Sequence, residues 1–300
     1  MADLLFRGTA PALVTPFTAD DQIDEAAFRR LIDFQIDGGM EALVVLGTTG
    51  ENPTVTHDER RRLVEISVEQ TAGRVPVIVG TGTNNTAQSV EFSREAVDAG
   101  ADALLVVGPY YNKPTPNGLV RHVSLIADAA DAPILLYNVP GRTGSNITAE
   151  TTLRIADAVP AVFGVKEASG NLAQITDLLA QRPDGFGVYS GDDDLTLPML
   201  ALGADGLVSV IANAVPGAVS EMVRLGLAGD FEGARALHFR LLDAMRASFF
   251  ESNPGPVKAV LAEMGMMSAA VRPPLDAVTA DTHRRVLDAY RPHIRSAVEQ

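Results

Sequence analysis

The feature that most constrains this chain is a series of eight short apolar segments, each followed by a stretch with helical periodicity. The segments cover residues 9–14, 42–46, 76–80, 103–107, 134–137, 162–165, 187–189 and 206–210. They recur about every 20 to 33 residues, as successive strand–helix units do. Each is apolar on both faces, the pattern of a parallel sheet covered by helices. Helical patterns occupy 24–37, 57–71, 86–99 and 118–130, among others. Thr56 and Thr148 stand where helix N-caps are expected. The phrases DGG at 37–39, DAGAD at 98–102 and ALGAD at 201–205 close helices just before strands, where glycine suits a left-handed C-cap. Eight such units predict an α/β fold of the (β/α)8 TIM barrel type. A doubly wound sheet is the alternative, although it normally shows fewer strands in this length.

Past the eighth segment lie helical patterns at 216–226, 231–250 and 256–264, then a loop at 270–279 and a last helix at 280–298. None reads as a strand. The expected organisation is a catalytic barrel over 1–225 with a C-terminal helical region over 226–300, suited to covering the barrel or building an oligomer.

Charge and composition narrow the function. A formal net charge of −14 argues against nucleic-acid or anionic-membrane surfaces. With no Cys, disulfides and thiolate metal sites are excluded. The first residues lack the basic start and long apolar core of a signal peptide. No apolar run reaches the ~18 residues of a membrane span. A cytoplasmic enzyme is the expectation.

Barrel enzymes work at the C-terminal ends of their strands, and polar residues collect there. The expected strand ends read GTTGE (47–51), GTGTNN (80–85), GPYYNKP (108–114), YNVPGRTG (137–144), KEASGN (166–171) and SGDD (190–193). Only three of the 24 Lys+Arg residues are Lys: Lys113, Lys166 and Lys258. Lys166 ends an apolar run. Burial disfavours an ammonium, and a lysine so tuned can form a Schiff base. The alternative is a strand-end lysine whose head reaches solvent. Tyr137 ends a strand and should project into the barrel mouth, where a phenol can move protons. Tyr110 and Tyr111 share that face. GTTGE combines flexible backbone, two hydroxyls and free amides, a set that can hold a small carboxylate or simply form a turn. Glu51 is open, with helix capping as one option. Arg142, between Gly141 and Gly144, suits bidentate carboxylate recognition, or pairing with a surface acid. For Asp192–Asp194, N-capping by Asp192 or Asp193 is favoured over a metal site. The histidines at 57, 122, 238, 283 and 293 are expected on helices, facing solvent.

Taken together, GTTGE, PYYNKP, YNVPGRTG, GVKEASGN, SGDD and the later NPGPVKAVL resemble the dihydrodipicolinate synthase / N-acetylneuraminate lyase family, in order over nearly the whole chain. The resemblance implies that Lys166 forms a Schiff base with pyruvate while Tyr137 donates and accepts protons. Thr48 would link Tyr137 to Tyr111 in a relay, with Tyr111 supplied by a neighbouring subunit. Thr49, helped by the Thr48 backbone, would bind the pyruvate carboxylate, and the Val208 backbone would also contact pyruvate. Arg142 would receive the carboxylate of L-aspartate 4-semialdehyde, in diaminopimelate and lysine biosynthesis. No cofactor or metal is implied, and the family's usual assembly is a homotetramer. A related pyruvate-dependent aldolase acting on a sugar acid, of N-acetylneuraminate or 2-keto-3-deoxygluconate type, is the alternative; the Arg142 motif favours the shorter substrate. A non-catalytic barrel would be expected to lack Lys166 or Tyr137. At the family's lysine effector site His57 and Asn84 fit. Arg60 replaces a frequent His and Gln88 a Glu, so feedback by lysine is expected to be weak or absent.

Overall fold

Segments apolar on both faces can be satisfied only by burial on both sides, and the strands obtain it by closing into a ring. The structure, a computed structural model, describes residues 4–294. Positions 295–298 of the last expected helix therefore lie outside the described residues, as do 1–3. The strands are β1 (Gly8–Pro11), β2 (Leu43–Val45), β3 (Val77–Gly80), β4 (Ala103–Val107), β5 (Ile134–Asn138), β6 (Val162–Glu167), β7 (Gly187–Ser190) and β8 (Gly206–Ser209). All neighbours pair in parallel, β1 with β8 and each of β2 to β8 with its sequence neighbour. A bridge between Ala12 and Val44, with the Leu13 amide donating to the Val44 carbonyl at 2.9 Å, joins β1 to β2 and completes the (β/α)8 barrel.

The helices are α1 (Glu25–Asp37), α2 (His57–Thr71), α3 (Thr86–Asp98), α4 (Pro116–Ala130), α5 (Pro140–Thr143), α6 (Ala149–Ala158), α7 (Leu172–Gln181), α8 (Thr196–Ala201), α9 (Pro216–Leu227), α10 (Phe231–Ala247), α11 (Gly255–Glu263) and α12 (Ala280–Tyr290). Local chemistry sets their ends. Thr56 and Glu59 form a reciprocal capping box on α2, and the Thr148 hydroxyl accepts from the Thr151 amide to start α6. Gly39, Gly100 and Gly203 have φ of 84°, 96° and 99°, the left-handed turns expected between helix and strand. The expected helix at 231–250 stops at Ala247, before the exposed aromatics Phe249 and Phe250.

Alternation along the strands sorts the apolar residues into two cores. One lies between barrel and helices and includes Leu43, Val79, Leu136 and Val165. The other fills the barrel and includes Ala10, Val44, Ile78, Leu105, Leu135, Tyr137, Tyr189 and Val208. Tyr189 stacks on Phe6 with ring centroids 4.3 Å apart, and its hydroxyl donates to the Phe6 carbonyl at 2.6 Å. That pair fills part of the barrel interior with aromatic surface. α9 packs on β1 and β8 as part of the barrel wall, whereas α10, α11 and α12 pack together beyond it.

Candidate active site

Register decides which side chains meet. Tyr137 on β5 pairs with Lys166 on β6, which pairs with Tyr189 on β7. Partners across a parallel pair share a face, so all three project into the barrel. The Lys166 ammonium lies 4.3 Å from the Tyr137 ring centroid. Lys166 is 5 % exposed, and its Nζ makes no hydrogen bond or ion pair among the described residues. With so little of its surface exposed, the side chain does not extend into bulk solvent. The next residue, Glu167, is buried on the opposite side of β6. Asn138 Nδ2 donates to its carboxylate at 3.1 Å and the Ser169 amide at 2.8 Å. Burial still raises the Glu167 pKa, against the pull of those bonds.

Tyr137, Thr48 and Arg142 all line one cavity of about 420 Å³ at this end of the barrel. Leu46, Leu105, Val107 and Val139 form much of the remaining wall. α5 is a single turn that carries Arg142, closed by Gly144 at φ 67°. Arg142 has no ion pair among the described residues, so its guanidinium is free to take a ligand. Thr49 is buried behind this wall, where its hydroxyl accepts from Asn253 Nδ2 at 2.8 Å. The amides of Thr48 and Thr49 have no partner among the described residues, which leaves two donors at the loop. Val208 lies inside the barrel on β8. Tyr111 does not join these residues in the single chain. It is 88 % exposed at φ 70°, while its neighbour Tyr110 lines the cavity.

Several expectations need correction. Asp192 occupies the position before the 3-10 turn Asp193–Leu195, but its side chain makes no capping bond. Asp193 instead reaches across to the end of β8. Ser209 Oγ donates to it, as do the amides of Val210 and Ile211 at 3.0 and 3.3 Å. Burial raises the pKa of both acids, Asp192 to about 6, and the charge of Lys166 opposes the rise. Glu51 does not cap the helical turn after it either; its side chain is buried against Lys258. His122 and His238 are buried rather than solvent-facing. His122 Nδ1 shares a 2.9 Å hydrogen bond with Thr86 Oγ1, and burial lowers its pKa to about 4. These contacts are tertiary and leave no mark in local sequence. Lys258 could have been found, because a scarce lysine inside the apolar helix GPVKAVLAE raises the same question as Lys166.

Arg60, also buried, lines the same cavity. Its Nη1 donates to the Gly80 carbonyl at 2.7 Å, Nη2 to Asn52 Oδ1, and the guanidinium lies 4.1 Å from the Phe92 ring centroid. Burial lowers its pKa to about 10. Gln88 lines the same space, and among the described residues no carboxylate does. His57 faces out and meets Glu95 at 2.8 Å. With Glu91 these two place three ligand atoms within 4.8 Å of one another, outside the cavity wall.

An uncommitted amine in an apolar barrel mouth is suited to condensing with a carbonyl, which surface lysines do poorly. The class defined by fold and site is the Schiff-base-forming barrel lyase. Comparison with known proteins narrows it. The model of the dihydrodipicolinate synthetase family matches residues 5–291, and this chain belongs to that family. A 4-hydroxy-tetrahydrodipicolinate synthase from Salinibacter ruber is 64 % identical over 290 residues, 96 % of each chain. The crystal structure of dihydrodipicolinate synthase from Thermotoga maritima has a TM-score of 0.94 at 41 % identity, covering 96 % of this chain and 99 % of its own. That of the enzyme from Cyanidioschyzon merolae with lysine bound has a TM-score of 0.93 at 38 % identity, covering 96 % and 98 %. No helix among the described residues is long and apolar enough to cross a membrane.

Proposed function

We propose that this chain is a 4-hydroxy-tetrahydrodipicolinate synthase, condensing pyruvate with L-aspartate 4-semialdehyde. The observation that carries the reading is the buried, unpaired Lys166 amine against Tyr137. In its neutral form the amine attacks the pyruvate ketone, and loss of water gives an iminium. Tyr137 relays the protons of that step, with Thr48 and Tyr111 as the path to solvent. The iminium accepts the electron pair left when a methyl proton departs, forming an enamine. Its carbon attacks the aldehyde, making the new C–C bond. The amino group of the semialdehyde then adds to the imine carbon and expels Lys166, which closes the ring and frees the enzyme. Thr49 and the amides at Thr48 and Thr49 hold the pyruvate carboxylate, and the Val208 backbone bounds the keto acid. Arg142 takes the carboxylate of the second substrate as a bidentate partner.

The same reading covers assembly and regulation. The exposure of Tyr111, beside a neighbour that lines the cavity, supports its entry into the site of an adjoining subunit, which requires at least a dimer; the homotetramer and the cytoplasmic setting are inferred from the family. Residues 1–225 serve as the catalytic barrel and 226–300 as a helical region beside it. Two guanidiniums, and no carboxylate among the described residues of the cavity, disfavour a cationic amine, so L-lysine inhibits weakly or not at all. Potent inhibition in a steady-state assay overturns that inference.

The test is borohydride reduction in the presence of pyruvate, followed by mass mapping. A reduced pyruvate adduct on Lys166 is expected, and its absence rejects the mechanism. Turnover with aspartate semialdehyde, compared with cleavage of N-acetylneuraminate and 2-keto-3-deoxygluconate, separates this reading from the sugar-acid aldolase.

A further inference from the structure

The reaction as written uses neither Glu51 nor Lys258, yet both are buried and charged at the edge of the site. Glu51 ends the loop after β2 with φ 53° and ψ 35°, a left-handed conformation that costs a residue with a side chain about 1 kcal/mol. The corner curls the loop. The Glu51 amide donates to the Thr48 carbonyl and the Gly50 amide to the Gly47 carbonyl, both at 3.1 Å. A residue held in such a region persists only where its surroundings over-determine it.

Those surroundings come from the other end of the chain. Lys258 Nζ donates to Glu51 Oε1 and, at 2.7 Å, to the Ala270 carbonyl. The Arg272 amide donates to Glu51 Oε2 at 2.9 Å. The two side chains are 0 % and 1 % exposed, and the ammonium lies 4.3 Å from the Phe17 ring centroid. From the same segment Asn253 fills the acceptor site of the Thr49 hydroxyl. The hydroxyl proton of Thr49 is then available to a carboxylate, alongside the free amides. A buried ion pair is a weak source of stability, because an apolar pair of equal volume often does as well. What it supplies is a fixed geometry.

We propose that Glu51 and Lys258 are positioning residues: their buried pair, whose lysine comes from the C-terminal helical region, holds the loop from Gly47 to Glu51 so that Thr48 and Thr49 present their donors to the keto-acid carboxylate. The choice of carboxylate rests on the proposed function; the hold on the loop does not. Arg142 sits on a different loop, so the pair acts on the keto-acid end of the site and leaves the aldehyde end alone.

The test uses the full-length protein with Glu51→Gln, Lys258→Met and the double variant. Each single change is expected to raise KM for pyruvate at least about tenfold and to leave KM for the second substrate within about twofold. Amide hydrogen exchange over 47–52 should accelerate in every variant. The double variant, with no charge left uncompensated, should regain most of the thermal midpoint but not the pyruvate KM. That split separates positioning from plain structural support. Recovery of the pyruvate KM together with the midpoint overturns the proposal, and so does unchanged exchange over 47–52. Should a single variant fail to fold, the double carries both readouts. A wild-type protein that takes no pyruvate label on Lys166 rejects the proposed function, while hydrogen exchange still decides the role of the pair.

Discussion

Lys166 and Lys258 are two of only three lysines in the chain, and both are buried. Their surroundings differ in one respect. Lys258 meets a carboxylate, a backbone carbonyl and the face of Phe17, which saturates its donors. Burial lowers its pKa to about 8, and Glu51 resists the shift. Lys166 has an aromatic ring beside it, two aspartates that it influences at longer range, and no bonded partner among the described residues. Burial alone therefore does not mark a reactive lysine. What sets apart the lysine proposed as the nucleophile is burial without a partner, because a saturated ammonium is committed to structure whereas an unpaired amine is available to a substrate. The arginines divide the same way. Arg272 is bound by Glu59, Asp21 and the Thr54 carbonyl, and Arg142 by no acid.

The contrast can be broken most directly at Lys166. Lys166→Ala is expected to abolish the borohydride-trapped pyruvate adduct and lower kcat by about a thousandfold or more. A label found on Lys258 in the wild-type protein would reverse the assignment. Next in size is Arg142→Ala, which should leave the pyruvate adduct intact and cut kcat/KM for aspartate semialdehyde roughly a hundredfold. Intact turnover of the semialdehyde in that variant removes Arg142 from its role. Lys258→Met is expected to destabilise the fold by about 3 kcal/mol in urea denaturation, since Glu51 is left buried and unpaired. The smallest effect concerns the saturated arginine. Hydrogen bonds from Arg272 hold Glu59 at about 2, below its usual 4.5. A carboxylate so depressed stabilises the fold fully above 4.5, and the contribution fades as pH falls toward 2. Glu59→Gln should lower the thermal midpoint at pH 7, flatten its fall between pH 4.5 and 2, and match the wild type near pH 2.

The eight strands were legible because burial on both faces leaves a continuous apolar run, and the turns between helix and strand because glycine alone takes their φ without strain. Lys166 and Tyr137 were legible for a related reason: a polar group at the end of such a run must emerge at the barrel mouth. Register then set them side by side, which their separation along the chain does not state. The Glu51–Lys258 pair, the reach of Asp193 to β8 and the burial of His122 and His238 were hidden. Each depends on residues brought together by the closed ring or by the helices packed on it. Local pattern sees a turn, a cap or a polar helix face at these positions and cannot see what packs against them.

The stack of Tyr189 on Phe6 has one more consequence. It ties β7 to the segment ahead of β1 and fills that part of the tube with aromatic surface, while the space lined by Tyr137, Thr48 and Arg142 stays open. Under the proposed function the order of loading comes from the chemistry: the keto acid must be joined to the amine before the aldehyde has a carbon nucleophile to meet.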